Sequence, residues 1–325
     1  MTGDDQVSLD APTQSLLSQM SSSDSPPLYE LSVGDARAAL KELTLSLDAP
    51  ECSVGRREER VIPGPEGNIS LRIYWPELAP QAPNPPVLLL FHGGGFALGD
   101  LDTHENVSRL YCHEAGVIVV SVAYRLAPEH SFPAAVTDCY AALRWVAETA
   151  GEWGGDPERI AVTGDSAGGN LAAVVCLAAR DRGGPRIKFQ ALVYPVVSMD
   201  PDTSFPSRKQ FGGGEFFLST NDFIWLNSMY FSHSGQAHDP MASPLLAESL
   251  AHLPPALVIT AGYDPLRDEG KAYSERLVAA GVVSEYRCFE TTVHGFMSFS
   301  GLIDAGREGL QLVARRIREV FAGET

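Results

Sequence analysis

The chain has 325 residues, 44% of them hydrophobic and 20% charged, with a formal net charge of −17 at pH 7. That is ample for a buried core in one large α/β domain or two smaller ones. So acidic a balance argues against nucleic acid or an anionic membrane surface as partner, and no run approaches the ~20 apolar residues of a membrane span.

The opening MTGDDQVSLD has neither a basic segment nor an apolar run, so no secretory signal is read there. Residues 1–30 are rich in Ser, Asp, Gln and Pro and are expected to be loosely packed. Residues 33–48 space Val33, Ala36, Ala39, Leu40 and Leu43 as a helix would. ERVIPGPEGNISLRIYWPE reads as two strands around a Pro/Gly turn, and APQAPNPP as a connector. An alternation follows. VLLLF and VIVVSVAYR are buried strands on either side of the helix ENVSRLYCHEA, which Gly116 closes. The helix beginning AAVTDCYAALRWVAE precedes the strand RIAVTGD and the helix AGGNLAAVVCLAARD. FQALVYPVV, ALVITAGYD and VSEYRCFE are strands, with the helix EGKAYSERLVAAG between the last two and a terminal helix after them. Near-continuous apolar strands alternating with helices predict a mostly parallel sheet covered on both faces.

Residues 200–240 break this rhythm and hold eight aromatics, among them Phe211, Phe216 and Phe217. So apolar an insertion must pack on something. The five cysteines (Cys52, Cys112, Cys139, Cys176, Cys288) are scattered with no Cys-x-x-Cys, so neither a zinc site nor a disulfide framework is expected. A reducing, cytoplasmic setting fits them.

In open α/β sheets, sites form outside the carboxyl ends of the strands. After VLLLF comes His92-Gly93-Gly94-Gly95; after IAVTG come Asp165 and Ser166; after LVITAGY comes Asp264; after the last strand comes His294. A serine hydroxyl is a weak nucleophile and needs a base within reach, here His294, with Asp264 to orient the imidazole. Glycines let N–H groups approach a developing oxyanion, here from Gly94 and Gly95, with Ala167 as third donor. Asp268 and Asp165 are rivals for the acid. Asp165 is read as structural, because it points elsewhere on a tight turn. Among the other histidines, His92 is read as a structural hydrogen-bonder, and His104 and His113 as solvated or helix-surface groups. His233, His238 and His252 fall in or near the insertion or a loop. Glu129 and Asp138 are read as buried acids holding loops.

HGGGF, YRLAPEHSFPAA, GDSAGG, DPLRDEG and HGF resemble the hormone-sensitive lipase-like family of α/β-hydrolases, bacterial family IV esterases included. The resemblance spans roughly residues 60–320. It implies an α/β-hydrolase fold, Ser166 as nucleophile, Asp264 as triad acid, His294 as base, and an oxyanion hole at Gly94, Gly95 and Ala167. It also implies a helical cap from residues 1–50 and 200–240 on a catalytic domain of residues 51–325, with Phe211, Phe216 or Phe217 as substrate walls. The expected activity is hydrolysis of short- to medium-chain carboxylic esters through an acyl-enzyme, with a small ester and water as partners and no metal or cofactor. A homodimer is compatible with it. Acetylated sugars, lactones or amides are other substrates for such a site. A ligand-binding receptor on the same fold is the competing class, and the presence of His294 argues against it.

Overall fold

The computed structural model describes residues 7–22, 25–77, 84–200 and 204–323. Eight strands form one sheet: β1 (Arg56–Gly64), β2 (Gly67–Trp75), β3 (Pro86–Phe91), β4 (Ile118–Ala123), β5 (Asp156–Asp165), β6 (Phe189–Val193), β7 (Ala256–Tyr263) and β8 (Ser284–Val293). Their order is β1-β2-β4-β3-β5-β6-β7-β8. The β1–β2 and β2–β4 pairs are antiparallel, and the rest are parallel. The central strands are apolar because both faces are covered. Val87, Leu89 and Phe91 of β3 enter one core with α4 (Ala134–Thr149), α5 (Ala167–Asp181) and α8 (Arg267–Ala279). Leu88 and Leu90 enter the other, with α3 (Glu105–Ala115) and α9 (Asp304–Ala322). Each fully buried Leu or Val is worth about 1.5–3 kcal/mol relative to exposure, so strand register is strongly fixed here.

The α/β-hydrolase architecture expected from the sequence is the one observed. Gly116 ends α3 in the left-handed conformation at φ 67°, its N–H returning to Cys112 O. The apolar run FQALVYPVV is strand only to Val193. There Tyr194 turns to φ 30° and Pro195 has no N–H for a ladder.

The N-terminal region is more ordered than its composition suggests. Residues 11–22 form α1 (Ala11–Ser22), with Thr13 and Leu16 buried; residues 1–6 and 23–24 lie outside the described residues. Its outer face stays polar because only one side docks, which is why its apolar periodicity is weak. Asp10 N–H donates to Thr291 O at 2.9 Å, and the Thr13 and Thr292 hydroxyls meet at 3.2 Å. α2 (Val33–Leu47) begins at a Ser32 cap whose Oγ accepts from Asp35 N. Two further helices, α6 (Pro206–Phe211) and α7 (Thr220–Tyr230), come from the insertion.

Candidate active site

Ser166 sits in the one-residue turn between β5 and α5, at φ 55° and ψ −117°, a region L-residues rarely adopt. Its flanking glycines answer to space. A Cβ on Gly164 would strike the Gly168 carbonyl, and one on Gly168 would strike the Phe91 carbonyl of the neighbouring strand. Only this spacing lets α5 start so close to the sheet, with its positive end at the serine. Ser166 Oγ lies 2.9 Å from His294 Nε2. His294 Nδ1 lies 2.8 Å from Asp264 Oδ2, and Asp264 is wholly buried. The other Asp264 oxygen accepts the Leu266 N–H at 2.8 Å, which fixes the carboxylate's plane. The three side chains come from the ends of β5, β7 and β8. In this arrangement the hydroxyl can pass its proton to the imidazole, and the carboxylate can hold the imidazolium that results. Asp268 is elsewhere: it accepts the Ser207 N–H at 2.9 Å and pairs with Arg267.

The loop after β3 approaches Ser166 from the other side. Gly94 and Gly95 have φ 113° and 60°, and a Cβ on Gly94 would run into the Leu98 carbonyl. No protein acceptor takes the N–H of Gly94, Gly95 or Ala167 among the described residues. The loop is anchored by its neighbours. Gly93 N–H donates to Asp165 Oδ1 at 2.9 Å, and Tyr124 donates its hydroxyl to His92 O at 2.6 Å while stacking on the His92 ring at 4.3 Å. Burial pushes the His92 pKa down to about 4, with His104 nearby adding to the effect.

His104 differs from its expected solvated position. It is 6% exposed, and its Nε2 lies 2.8 Å from the same Asp165 oxygen. The sequence does not reveal this, because His104 and Asp165 are 61 positions apart and neither belongs to an apolar pattern. Burial works to raise the Asp165 pKa, but the surrounding His104, His92 and His294 outweigh it and hold the carboxyl below its usual value. Asp165, the residue before the serine, thus ties the serine turn to the loop that faces it. His113 is exposed as expected. Asp138 is buried against Arg125, whereas Glu129 is exposed and acts from the surface by gripping Arg37. Among the described residues no group of three or more His, Cys, Asp or Glu is placed to hold a metal ion.

A family profile described as the α/β-hydrolase fold matches residues 88–298. The esterase LipI of Mycobacterium tuberculosis is 45% identical over 297 residues, which cover 89% of this chain and 91% of its own. The chain belongs to the hormone-sensitive lipase-like family of α/β-hydrolases. Among solved structures, the esterase of the archaeon Pyrobaculum calidifontis is 40% identical, with a TM-score of 0.90 over 96% of this chain and 98% of its own. An ester-hydrolase from the Lake Arreo metagenome, solved with a bipyridine phosphonate derivative, is 37% identical, with a TM-score of 0.92 over 97% of this chain and 99% of its own.

This hydrolase roofs Ser166 with helices from its N-terminal region and from the insertion. The cleft is about 1130 Å³, with Leu16, Leu40 and Leu43 from the N-terminal helices on one wall and Phe217, Phe223 and Leu226 from the insertion on another. Phe211 and Phe216 are not among its walls. They pack edge-to-face on each other and against Tyr263, and Phe211 is fully buried beneath Arg267. The apolar mass of the insertion is therefore divided: Phe211 and Phe216 fasten the roof, Phe217 and Phe223 face the cleft. Tyr230 stacks on Phe96 of the glycine loop at 3.9 Å. Arg208 and the wholly buried Glu269 tie α6 to α8, the helix that follows Asp264.

The N-terminal region, for its part, touches three of the four strand ends that carry the site, all but the turn at Ser166. The Tyr263 hydroxyl, next to Asp264, donates to Val7 O at 2.6 Å. Asp10 and Thr13 hold Thr291 and Thr292, just before His294. From α2, Arg37 donates to Ala97 O at 2.8 Å and Lys41 pairs with Asp100, both beyond the glycine loop.

Proposed function

We propose that the chain is a serine carboxylesterase acting on monomeric, short- to medium-chain acyl esters. The observation that carries this reading is the unbroken line of contacts from Ser166 Oγ to His294 at 2.9 Å and from His294 to Asp264 at 2.8 Å. Ser166 Oγ attacks the ester carbonyl as His294 Nε2 takes its proton. The carbonyl oxygen, now anionic, is held by the N–H groups of Gly94, Gly95 and Ala167. Collapse expels the alcohol, which receives the proton from His294, and leaves the acyl group on Ser166. Water, deprotonated by the same imidazole, attacks the acyl-enzyme, and His294 returns the proton to Ser166 Oγ as the acid leaves. The three relatives named above are an esterase, an esterase and an ester-hydrolase, which supports the same activity. A burst of nitrophenol equal to the enzyme concentration from a short-chain nitrophenyl ester tests it. Binding of the ester without release would favour the receptor reading instead.

Two further expectations belong to this reading. Gly95→Ala keeps its N–H, but an alanine strained at φ 60° should swing that N–H off the oxyanion and lower turnover about 10²- to 10³-fold, the usual cost of a lost oxyanion donor. Gly95 is the informative position because the atoms nearest its new Cβ belong to the flexible Leu226 side chain, whereas Gly94→Ala would collide with backbone. The loss should fall on kcat, because the charge exists only in the transition state; an unchanged kcat with a raised KM would move Gly95 out of that role.

Acyl length should show an optimum. Each methylene that fits adds up to ~0.8 kcal/mol of burial, and one that must displace a packed wall costs about 1–3 kcal/mol. Under a roof of α1, α2, α6 and α7, kcat/KM should rise from acetyl to butyryl or hexanoyl and then fall. A nitrophenyl ester series measures it, and a maximum at sixteen carbons would refute the closed cleft. A homodimer, tested by sedimentation, and a reducing cytoplasmic setting, supported by five unpaired cysteines, complete the reading. No helix among the described residues is long and apolar enough to cross a membrane.

A further inference from the structure

The charged side chains that line the cleft are all acids. Asp35 and Glu42 project from α2, Glu215 lies between α6 and α7, Asp222 is on α7, and Asp165 is at the floor. No lysine or arginine lines it, and the segments outside the described residues contain none. The cations nearby are already spent. Arg37 holds Glu129, Lys41 holds Asp100 and Asp102, Arg208 holds Glu269, and Arg267 holds Asp268. Asp35, Glu42, Glu215 and Asp222 have no cationic partner among the described residues.

Asp222 adds a second, independent feature. It is 7% exposed. One of its oxygens accepts the Ser219 N–H at 3.0 Å and the Ser219 hydroxyl at 2.6 Å. Its other oxygen, Oδ1, is buried with no hydrogen-bond partner. A buried acceptor left unpaired costs free energy, and no cation offsets the charge that Asp222 places in the cleft wall. An anionic group brought to the cleft wall meets further carboxylates and no lysine or arginine.

We propose that the cleft selects its esters by charge: Asp35, Glu42, Glu215 and Asp222 admit neutral and cationic esters and turn away those bearing a carboxylate or phosphate. This rests on the esterase reading above and adds to it a substrate class. The size of the effect follows from the field. One unit charge ~10 Å from another in water changes an equilibrium about twofold, and more where water is excluded. Three acids at the mouth and one in the wall therefore discriminate by about tenfold or more.

The test uses matched esters in which shape is held and charge is changed. 4-Nitrophenyl hemiadipate is compared with the 6-methylheptanoate, and 4-nitrophenyl 4-(trimethylammonio)butyrate with the 5,5-dimethylhexanoate. The expected result is a kcat/KM for the anion at least about tenfold below its neutral match, with the cation equal to or above its own. Raising ionic strength from 0.01 to 0.5 M shortens the screening length from about 30 Å to about 4 Å and should shrink the anion penalty several-fold. The combined variant Asp35→Asn, Glu42→Gln, Glu215→Gln should shrink it likewise. Because each ratio is taken within one protein, a loss of folded enzyme cancels.

Equal rates for anion and neutral match, or a penalty indifferent to both salt and the triple variant, would overturn the proposal. If no ester of the set were hydrolysed, the esterase reading itself would fall. If the esters were hydrolysed at rates indifferent to their charge, only the present inference would fall.

Discussion

Ser166→Ala is expected to lower turnover about 10⁶-fold, the scale on which removing the nucleophile disables serine hydrolases. The change deletes one oxygen. Ser166 Oγ makes its contact with His294, while the backbone around it is held by other bonds: Ser166 N–H to Val193 O at 2.8 Å and Asn170 N–H to Ser166 O at 3.1 Å. Alanine carries the same Cβ as serine, so the strained φ of 55° is neither relieved nor worsened. The variant should therefore fold with unchanged circular dichroism and melting temperature, bind a substrate ester, and give no nitrophenol burst. Covalent labelling by a phosphonate should also be lost. A variant that kept even a hundredth of wild-type turnover would show that another group attacks the ester. Ser298, which shares the cleft lining, would be the next candidate.

Much of this site is legible in the sequence because it lies at strand ends. A run such as VLLLF or ALVITAGY is buried on both faces, so its apolar pattern stops where the sheet stops, and the reactive residues stand just beyond. The glycines that spell the turn at Ser166 are fixed by contacts with residues near in sequence or on the adjacent strand. The remainder is set by contacts between distant residues. His104 reads as a solvated group because the Asp165 carboxylate that buries it is far along the chain. α1 reads as loose chain because a helix docked by little more than Leu16 and Thr13 leaves most of its sequence polar. The insertion's aromatics announce burial but not against what. Tyr263 takes Phe211 and Phe216, and the cleft receives Phe217. Periodicity measures how many neighbours a face has, and says nothing of which ones.

The choice between two nearby acids gives the last and sharpest expectation. Asp264→Asn should lower kcat on the order of 10⁴-fold, the cost when an amide replaces the carboxylate that orients the base. Asp268→Asn should leave kcat within about tenfold, because such a surface-side tie is worth at most ~1–2 kcal/mol. The two residues are four positions apart on the loop and first turn of α8, yet their partners separate them. Asp264 is wholly buried and lies 2.8 Å from His294 Nδ1. Asp268 faces the roof, where it accepts from Ser207 of α6 and pairs with Arg267. An asparagine at 264 can present its amide nitrogen to His294 Nδ1, and the imidazole must then turn its proton toward Ser166. In that tautomer Nε2 cannot receive the hydroxyl proton, so the loss should persist at every pH where the protein is folded. A retained activity that merely shifted along the pH axis would mean Asp264 sets only the charge of the site and not the direction of its proton. An inactive Asp268→Asn beside an active Asp264→Asn would transfer the acid's role to the residue that fastens the roof.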